Sequence, residues 1–435
     1  MMAEFNGIEI TRKAVEALKA AGADKAQSSL SRGEKSELNV DAGRMSLYRT
    51  TVNVSIGLTA HVGGRKGSIS VNRYDDESIR TAAADAIAMA RSSEPDPAND
   101  ISPARPLERF RSGALEPDGA AMYDRLREFI DYSKSAYPFT SLEQCVLDFG
   151  RGESFYTNSN GAEFEERSGL YSFFAMFTSK NGADSSSFNY SGATHKTLGK
   201  ALKDWGTIDG LMRQSAEQTR VTPVSGSFTG DIILTPDCLG DFIGYVDGVY
   251  LGDYPLITGN SPWKDQLGKS VVSPLVTVRS EPNGPSIEAG YAYTGDGFRA
   301  ENCPIIEEGV LRNFTLGFYG SNKTGKPRCP SGGGAIVVQN GKTPLADMIR
   351  DVRHGILLAR FSGGSPSDNG DFSGVAKNSY LIENGKIIRP VGETMVAGNV
   401  ATLFKSIRAV SKESVDYGSA ILPYMLASGV SISGK

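Results

Sequence analysis

The first stretch of the chain has apolar positions at helical spacing, with Ile8, Val15 and Leu18 on one side and Gly22 where a helix would stop. From Ala26 to Tyr74 the period shortens to two. "SELNV", "NVSIGLTAHV" and "GSISV" alternate apolar with polar residues, and Asp41-Ala42-Gly43 and Gly63-Gly64 have hairpin-turn composition, so this stretch predicts an antiparallel meander. Asp75 or Asp76 can cap a following helix whose apolar side is Ile79, Ala83, Ala86, Ile87 and Ala90, and Pro95-Asp96-Pro97 ends it. Residues 101–118, rich in proline and glycine, read as a connector. Helical spacing returns at Met122, Leu126, Phe129 and Ile130. Alternation follows in "SLEQCVLDF", "ESFYTNS" and "LYSFFAMFTS", with Asn158-Ser159-Asn160-Gly161 as a hairpin turn. A helix over Ile208–Arg220 then leads to Pro223.

The second half opens with the strand "GDIILT", which runs into Thr235-Pro236-Asp237. Threonine at the N-cap, proline at the first helical position and an acid in the first turn form a three-part start signal. Leu239, Phe242, Ile243, Val246, Val249 and Tyr250 line one face of the predicted helix, so Ile243 is expected on its buried stripe. Turns follow at Pro282-Asn283-Gly284 and Gly295-Asp296-Gly297. "ILLARF", "NSYLIENGKIIRP" and "SGVSIS" read as strands, with a hairpin at Asn384-Gly385. The pattern predicts an α+β protein of two domains. Residues 1–222 form a helix-flanked antiparallel sheet, and residues 223–435 form a strand-rich domain, barrel-like or a mixed sheet.

Length and composition agree with this division. A chain of 435 residues can bury two independent cores, and 50 glycines suit a turn-rich, strand-rich fold. The formal net charge is −4, without a basic run interleaved with aromatics, which disfavours direct nucleic-acid binding. No window approaches the roughly 18 apolar residues of a membrane span, and the first residues lack the apolar core of a secretion signal. The expectation is a cytoplasmic protein. Cys145, Cys238, Cys303 and Cys329 are scattered and without a CxxC pair, which predicts reduced, buried thiols.

Chemistry is scarce. His61, His195 and His354 are far apart, so no local zinc motif exists. His61 alternates within a strand, His195 falls in a polar stretch read as a loop, and all three are expected as surface or edge histidines. No GxSxG elbow is present. "TGDGFRA" (294–300) has two glycines of a dinucleotide fingerprint, but Cys303-Pro304 occupies the place of the helix that should follow, so a strand and turn are expected. "CPSGGG" (329–334) lacks the GK[ST] of a phosphate loop and reads as a flexible or close-packed loop. The adjacent acids Asp75-Asp76, Glu165-Glu166 and Glu307-Glu308 point to different sides of a strand and do not form acid/base pairs.

The order of longer segments carries more information. "LSRGEKSELNVDAGRM", "NRYDDESIRTAAADAIAMARSSEPDP", "YTNSNGAEFEERSGLYSF", "GDGFRAENCPIIEEGVLRNFTLGFYGSNKTG", "GDFSGVAKNSYLIENGKIIRPVGETMVAGNV" and the closing "LPYMLASGVSISGK" stand in one order over nearly the whole chain. In this the chain resembles the TldD/PmbA family, described as candidate modulators of DNA gyrase. The resemblance implies one of two kinds of member. The TldD kind is a zinc peptidase with HExxxH on the helix after the first strand of the C-terminal domain and a further ligand near the C-terminus. The PmbA kind, also called TldE, lacks these groups and partners the zinc-bearing subunit. Matched on Gly252-Asp253, the two histidine positions fall on Ile243 and Gly248 and the glutamate position on Gly244. No histidine lies between His195 and His354, and no cysteine or histidine follows His354.

The resemblance therefore implies a subunit without metal, cofactor or catalytic residues of its own, paired with a TldD-like zinc peptidase that acts on peptides or unfolded segments, with a homodimer also open. A binding or scaffold protein linked to gyrase through a protein contact is the alternative. A self-sufficient hydrolase with an unfamiliar site is a third.

Overall fold

The computed structural model describes residues 5–434 and contains two large sheets. The first is formed by β1 (Lys25–Asp41), β2 (Arg44–Val62), β3 (Arg65–Val71), β4 (Arg105–Ser112), β5 (Thr140–Asn158), β6 (Ala162–Asn181), β7 (Asp184–Ser185) and β8 (Asn189–His195). Its main path runs β3-β2-β1-β5-β6-β4, with β7 and β8 also on β6. The hairpin turns are where composition places them. Ala42 and Gly43 (φ 48° and 71°) connect β1 to β2, and Gly63 and Gly64 (φ 56° and 76°) connect β2 to β3, conformations that glycine adopts without a Cβ penalty.

Four helices cover this sheet: α1 (Gly7–Ala20), α2 (Asp76–Ser92), α3 (Gly119–Ala136) and α4 (Ile208–Glu217). Asn6, Asp75 and Asp118 cap the first three by accepting from the backbone N–H three residues on. Residues α1 and α2 bury, such as Leu18 and Ile87, pack with Leu30, Ile56 and Phe155. Those of α3 and α4, such as Phe129 and Met212, pack with Leu38, Leu147 and Phe173. Leu30 and Leu38 are an even number of positions apart on β1, so both helix pairs lie on one face of the sheet, at different places along its length.

One expectation is corrected here. Within the predicted connector 101–118, Arg105–Ser112 is a strand paired in parallel with β6. It lies at the end of the strand order, where Pro106 has no central ladder to interrupt.

The second sheet contains β9 (Ser227–Leu234), β10 (Val278–Ser280), β11 (Cys303–Glu307), β12 (Val310–Leu311), β13 (Ile336–Val338), β14 (His354–Leu358), β15 (Arg360–Gly363), β16 (Asp371–Lys377), β17 (Ser379–Glu383), β18 (Lys386–Val391), β19 (Thr394–Asn399), β20 (Ile407–Asp416) and β21 (Ala420–Ser433). Its main path is β12-β11-β10-β13-β21-β9-β14-β17-β18. The sheet is mixed, because β9 runs parallel to β14 and antiparallel to β21, which in turn runs parallel to β13. β21 is its hub, bonded to β9, β13, β19 and β20. α5 (Pro236–Val246) packs on one face with Leu422 and Met425. The short helix Leu345–Asp351 packs with Ile233, Leu357 and Leu426 in a separate cluster. No helix among the described residues is long and apolar enough to cross a membrane.

Candidate functional site

α5 starts as the sequence specifies. The Thr235 hydroxyl accepts from the Cys238 N–H (3.4 Å) and donates to the Ala359 carbonyl (3.2 Å), with Pro236 in the first turn. Cys238, Leu239, Phe242 and Val246 are buried. The fully buried Phe242 ring meets Tyr245, Phe361 and Phe372 at centroid distances of 5.4, 5.6 and 5.2 Å, each edge-on.

The helix does not continue in one form to Tyr250. After Val246 it widens into a π turn, Asp247–Leu251, in which the Gly252 N–H donates to the Asp247 carbonyl (2.9 Å). Tyr250 is held inside by stacking on Trp263 (4.3 Å), and its hydroxyl accepts from the Ala401 N–H. Apolar positions 246, 249 and 250 suit either winding, which is why spacing alone reads as a continuous α-helix.

Ile243 is not on the fully buried stripe. It packs against the core while lining a cavity of about 260 Å³ together with Gly244, Ile305, Ile306, Ile336 and Phe404. Gly248 is exposed and lies outside that lining. A Cβ built at Gly244 or Gly248 would meet nothing within 4 Å, and neither residue has a positive φ. Shape therefore does not demand glycine at either position. The three side chains offer no electron-pair donor, so a divalent metal does not fit there. Two polar side chains line this cavity, Asp247 and Thr315, and they bond to each other, the threonine hydroxyl donating to the carboxylate.

The histidines correct another expectation. His61 and His195 are buried, and only His354 is exposed, stacked on Phe228 (3.7 Å). Burial drives the His61 pKa down to about 4. His195 ends β8 rather than sitting in a loop. Its Nδ1 lies 2.9 Å from Glu288, a residue of the second half of the chain, whose other carboxylate oxygen accepts from the Lys196 N–H (2.7 Å). Asp416 completes a group whose donor atoms lie within 4.8 Å of one another. Nothing local in the sequence joins residues 195, 288 and 416.

The two glycine-bearing motifs form one buttress. In "TGDGFRA", Asp296 takes a two-pronged contact from Arg328 (3.0 and 2.9 Å) and accepts from the Phe318 N–H (2.8 Å). Burial works against that charge, but the bonds from Arg328 and Thr294 hold the carboxyl below its usual range. In "CPSGGG", Cys329 lies 3.9 Å from Cys303 and Ser331 bonds to both sulfurs. A Cβ on Gly332 would come within 2.9 Å of Thr294, so this loop is close-packed.

A larger cavity, about 550 Å³, lies between the two sheets. β6 and β8 form one wall, and the first turns of α5 with Arg360 and Tyr417 form the other. Asp237 faces it and accepts from the hydroxyls of Thr207 and Tyr417, each at 2.9 Å. Burial outweighs those bonds and raises this carboxyl to about 6.

Comparison with known proteins follows this geometry. Residues 226–434 match the model of the PmbA/TldA metallopeptidase C-terminal domain, and residues 29–90 match that of PmbA/TldA metallopeptidase domain 1. Metalloprotease PmbA of Escherichia coli O157:H7 is 23% identical over 417 residues, 86% of each chain. The PmbA homologue of Haemophilus influenzae is also 23% identical, over 400 residues and 86% of each chain. Among solved structures, TldE from Thermococcus kodakarensis superposes with a TM-score of 0.84 at 18% identity, covering 97% of this chain and 99% of that one. A Bacteroides thetaiotaomicron protein described as a candidate modulator of DNA gyrase gives 0.85 at 23% identity over the full length of both.

Proposed function

The chain belongs to the PmbA/TldD metallopeptidase family, and on that premise we propose that it is a metal-free subunit serving a TldD-type zinc peptidase in the cytoplasmic proteolysis of peptides or unfolded segments. One observation carries the reading. The helix to which the family resemblance assigns the ligands of the zinc-bearing kind is capped and packed here, while Ile243 and Gly244 on it and Gly248 in the π turn after it supply no donor atom. Two imidazoles and a carboxylate around no ion would be costly, and apolar replacement removes that cost. In this reading catalysis belongs to the partner, and no step of hydrolysis runs through this chain's side chains. The division at residue 223 is part of the same proposal, with 1–222 and 223–435 as its two units.

What the chain itself brings is a surface for extended polypeptide. β2 pairs with β1 along its whole length but with β3 only from Ile56 to Val62. From Arg44 to Ser55 its outer edge has no neighbouring strand among the described residues, and Leu47, Tyr48 and Val52 are exposed there. An extended segment added to such an edge is held by its backbone, with little dependence on side chains.

Zinc analysis of the purified chain, alone and after co-purification with a TldD-type partner, tests the proposal. The expected result is substoichiometric zinc on the chain alone and chelator-sensitive peptidase activity only with the partner. His195→Ala is the control for an ion held by the His195 group. Stoichiometric zinc on the isolated chain overturns the reading, and its loss in the substituted chain would locate the ion at the His195 group.

A further inference from the structure

The cavity between the sheets is built differently from the apolar one beside Ile243. On one side Arg360 reaches from the start of β15. Its guanidinium lies over the rings of Phe188 (4.4 Å) and Tyr190 (5.5 Å), and it donates one hydrogen bond, to the Phe188 carbonyl (3.1 Å). No carboxylate among the described residues pairs with it. A guanidinium covered by rings is poorly hydrated yet keeps its planar fork of N–H donors, the arrangement that binds a carboxylate through two parallel bonds. Burial lowers its pKa from the ordinary value, which marks the shortage of compensating anions around it.

Asp241 lines the same wall as Arg360, one turn along α5 from Asp237. It is exposed and is neither hydrogen-bonded nor ion-paired to any described residue. Asp241 is near enough to act on the charge of Arg360, yet the two form no ion pair. The wall beside Arg360 carries half-exposed aromatic side chains, with Phe174 and Tyr190 5.9 Å apart and Phe188 stacked on Tyr190 at 6.2 Å. A cation and an anion without an ion-pair partner thus face a common space beside an apolar ledge, while Asp237, the deeper carboxylate, is held by Thr207 and Tyr417.

We propose that this cavity binds a short peptide by its free ends, with Arg360 holding the terminal carboxylate, Asp241 the ammonium group, and Phe174 and Tyr190 an apolar side chain. The cavity is within the size range of small-molecule sites, and its few polar groups are placed to fix orientation. Binding makes and breaks no covalent bond. The site lies on this chain alone and does not depend on the pairing proposed above. A free peptide end is also what distinguishes a product of proteolysis from an intact chain.

Calorimetric titration of the full chain with the tripeptide Ala-Leu-Phe tests the assignment, with its C-terminally amidated and N-acetylated forms as comparisons. The free tripeptide is expected to bind, and amidation to weaken binding by about tenfold or more, the worth of a hydrogen-bonded charge. Arg360→Gln should weaken the free peptide by a similar factor and abolish the difference between free and amidated forms. Asp241→Asn should do the same for acetylation. The ligand-side changes leave the protein untouched, so the outcome stands even where a variant folds poorly. Equal binding of free and amidated peptides, or no binding of the free tripeptide at about 10 mM, overturns the proposal. Neither result bears on whether the chain carries zinc.

Discussion

Gly244→Ala is the most direct probe of α5. The residue lies inside the helix Pro236–Val246, its φ is not left-handed, and an added Cβ meets nothing within 4 Å. Replacing an interior helical glycine by alanine lowers the conformational entropy of the unfolded chain and is worth about 0.5–1 kcal/mol. The new methyl meets open space at an exposed position, so burial adds nothing to this. The expected net gain is about 1 kcal/mol. For a cooperative unit of 150–250 residues this raises Tm by about 2–4 °C, measurable by scanning calorimetry alongside a urea titration. If catalysis resides in the partner subunit, the peptidase activity of the assembled pair stays unchanged. Loss of stability would refute the reasoning, because it would mean that the space beside Gly244 is filled in solution. Lost activity with stability gained would place this glycine at a working site.

Phe242→Ala should cost about 3–5 kcal/mol, since the ring is fully buried among three other rings; urea denaturation checks it, and a loss below about 1 kcal/mol contradicts the packing described. Asp237 titrates near 6 when folded against an ordinary 3.8, so the folded state holds more protons between those values, and its contribution to stability is full below about pH 4 and lost as pH rises through 6. Asp237→Asn, which can still accept from Thr207 and Tyr417, should flatten the decline of the urea midpoint between pH 4.5 and 7.5; an unchanged slope refutes the assignment. All four cysteines are free and buried, so an aromatic disulfide reagent should label them slowly in the native protein and completely in guanidinium; rapid native labelling of Cys329, whose pKa is drawn below the usual thiol range by the bonds from Cys303 and Ser331, would show that its loop opens.

Local signals were legible in the sequence and distant ones were not. Thr235-Pro236-Asp237 and Asp41-Ala42-Gly43 declare themselves because a cap or a turn is settled within a few residues. Arg105–Ser112 stayed hidden because its partner in the parallel ladder is β6, with Arg105 opposite Ala162, and its own composition resembles a loop. The absence of donors at positions 243, 244 and 248 is plain in the sequence, whereas the cavity beside two of them is not, since Ile305, Ile336 and Phe404 arrive from separate elements. The burial of His195 beside Glu288 joins the two halves of the chain, and the nearness of Arg360 to Asp241 joins β15 to α5; no periodicity encodes either.

The central position of β21 has a consequence for how the protein is made. Leu234 on β9 lies opposite Met425 on β21, about 190 residues later, so the first strand of the second sheet lacks one of its two neighbours until translation is nearly over. Until then β9 and β13 each expose an unsatisfied ladder on the ribosome, a window in which misassembly competes with closure. A nascent chain stalled before residue 420 should accordingly be a substrate for chaperones and quality-control proteases rather than a partly working protein.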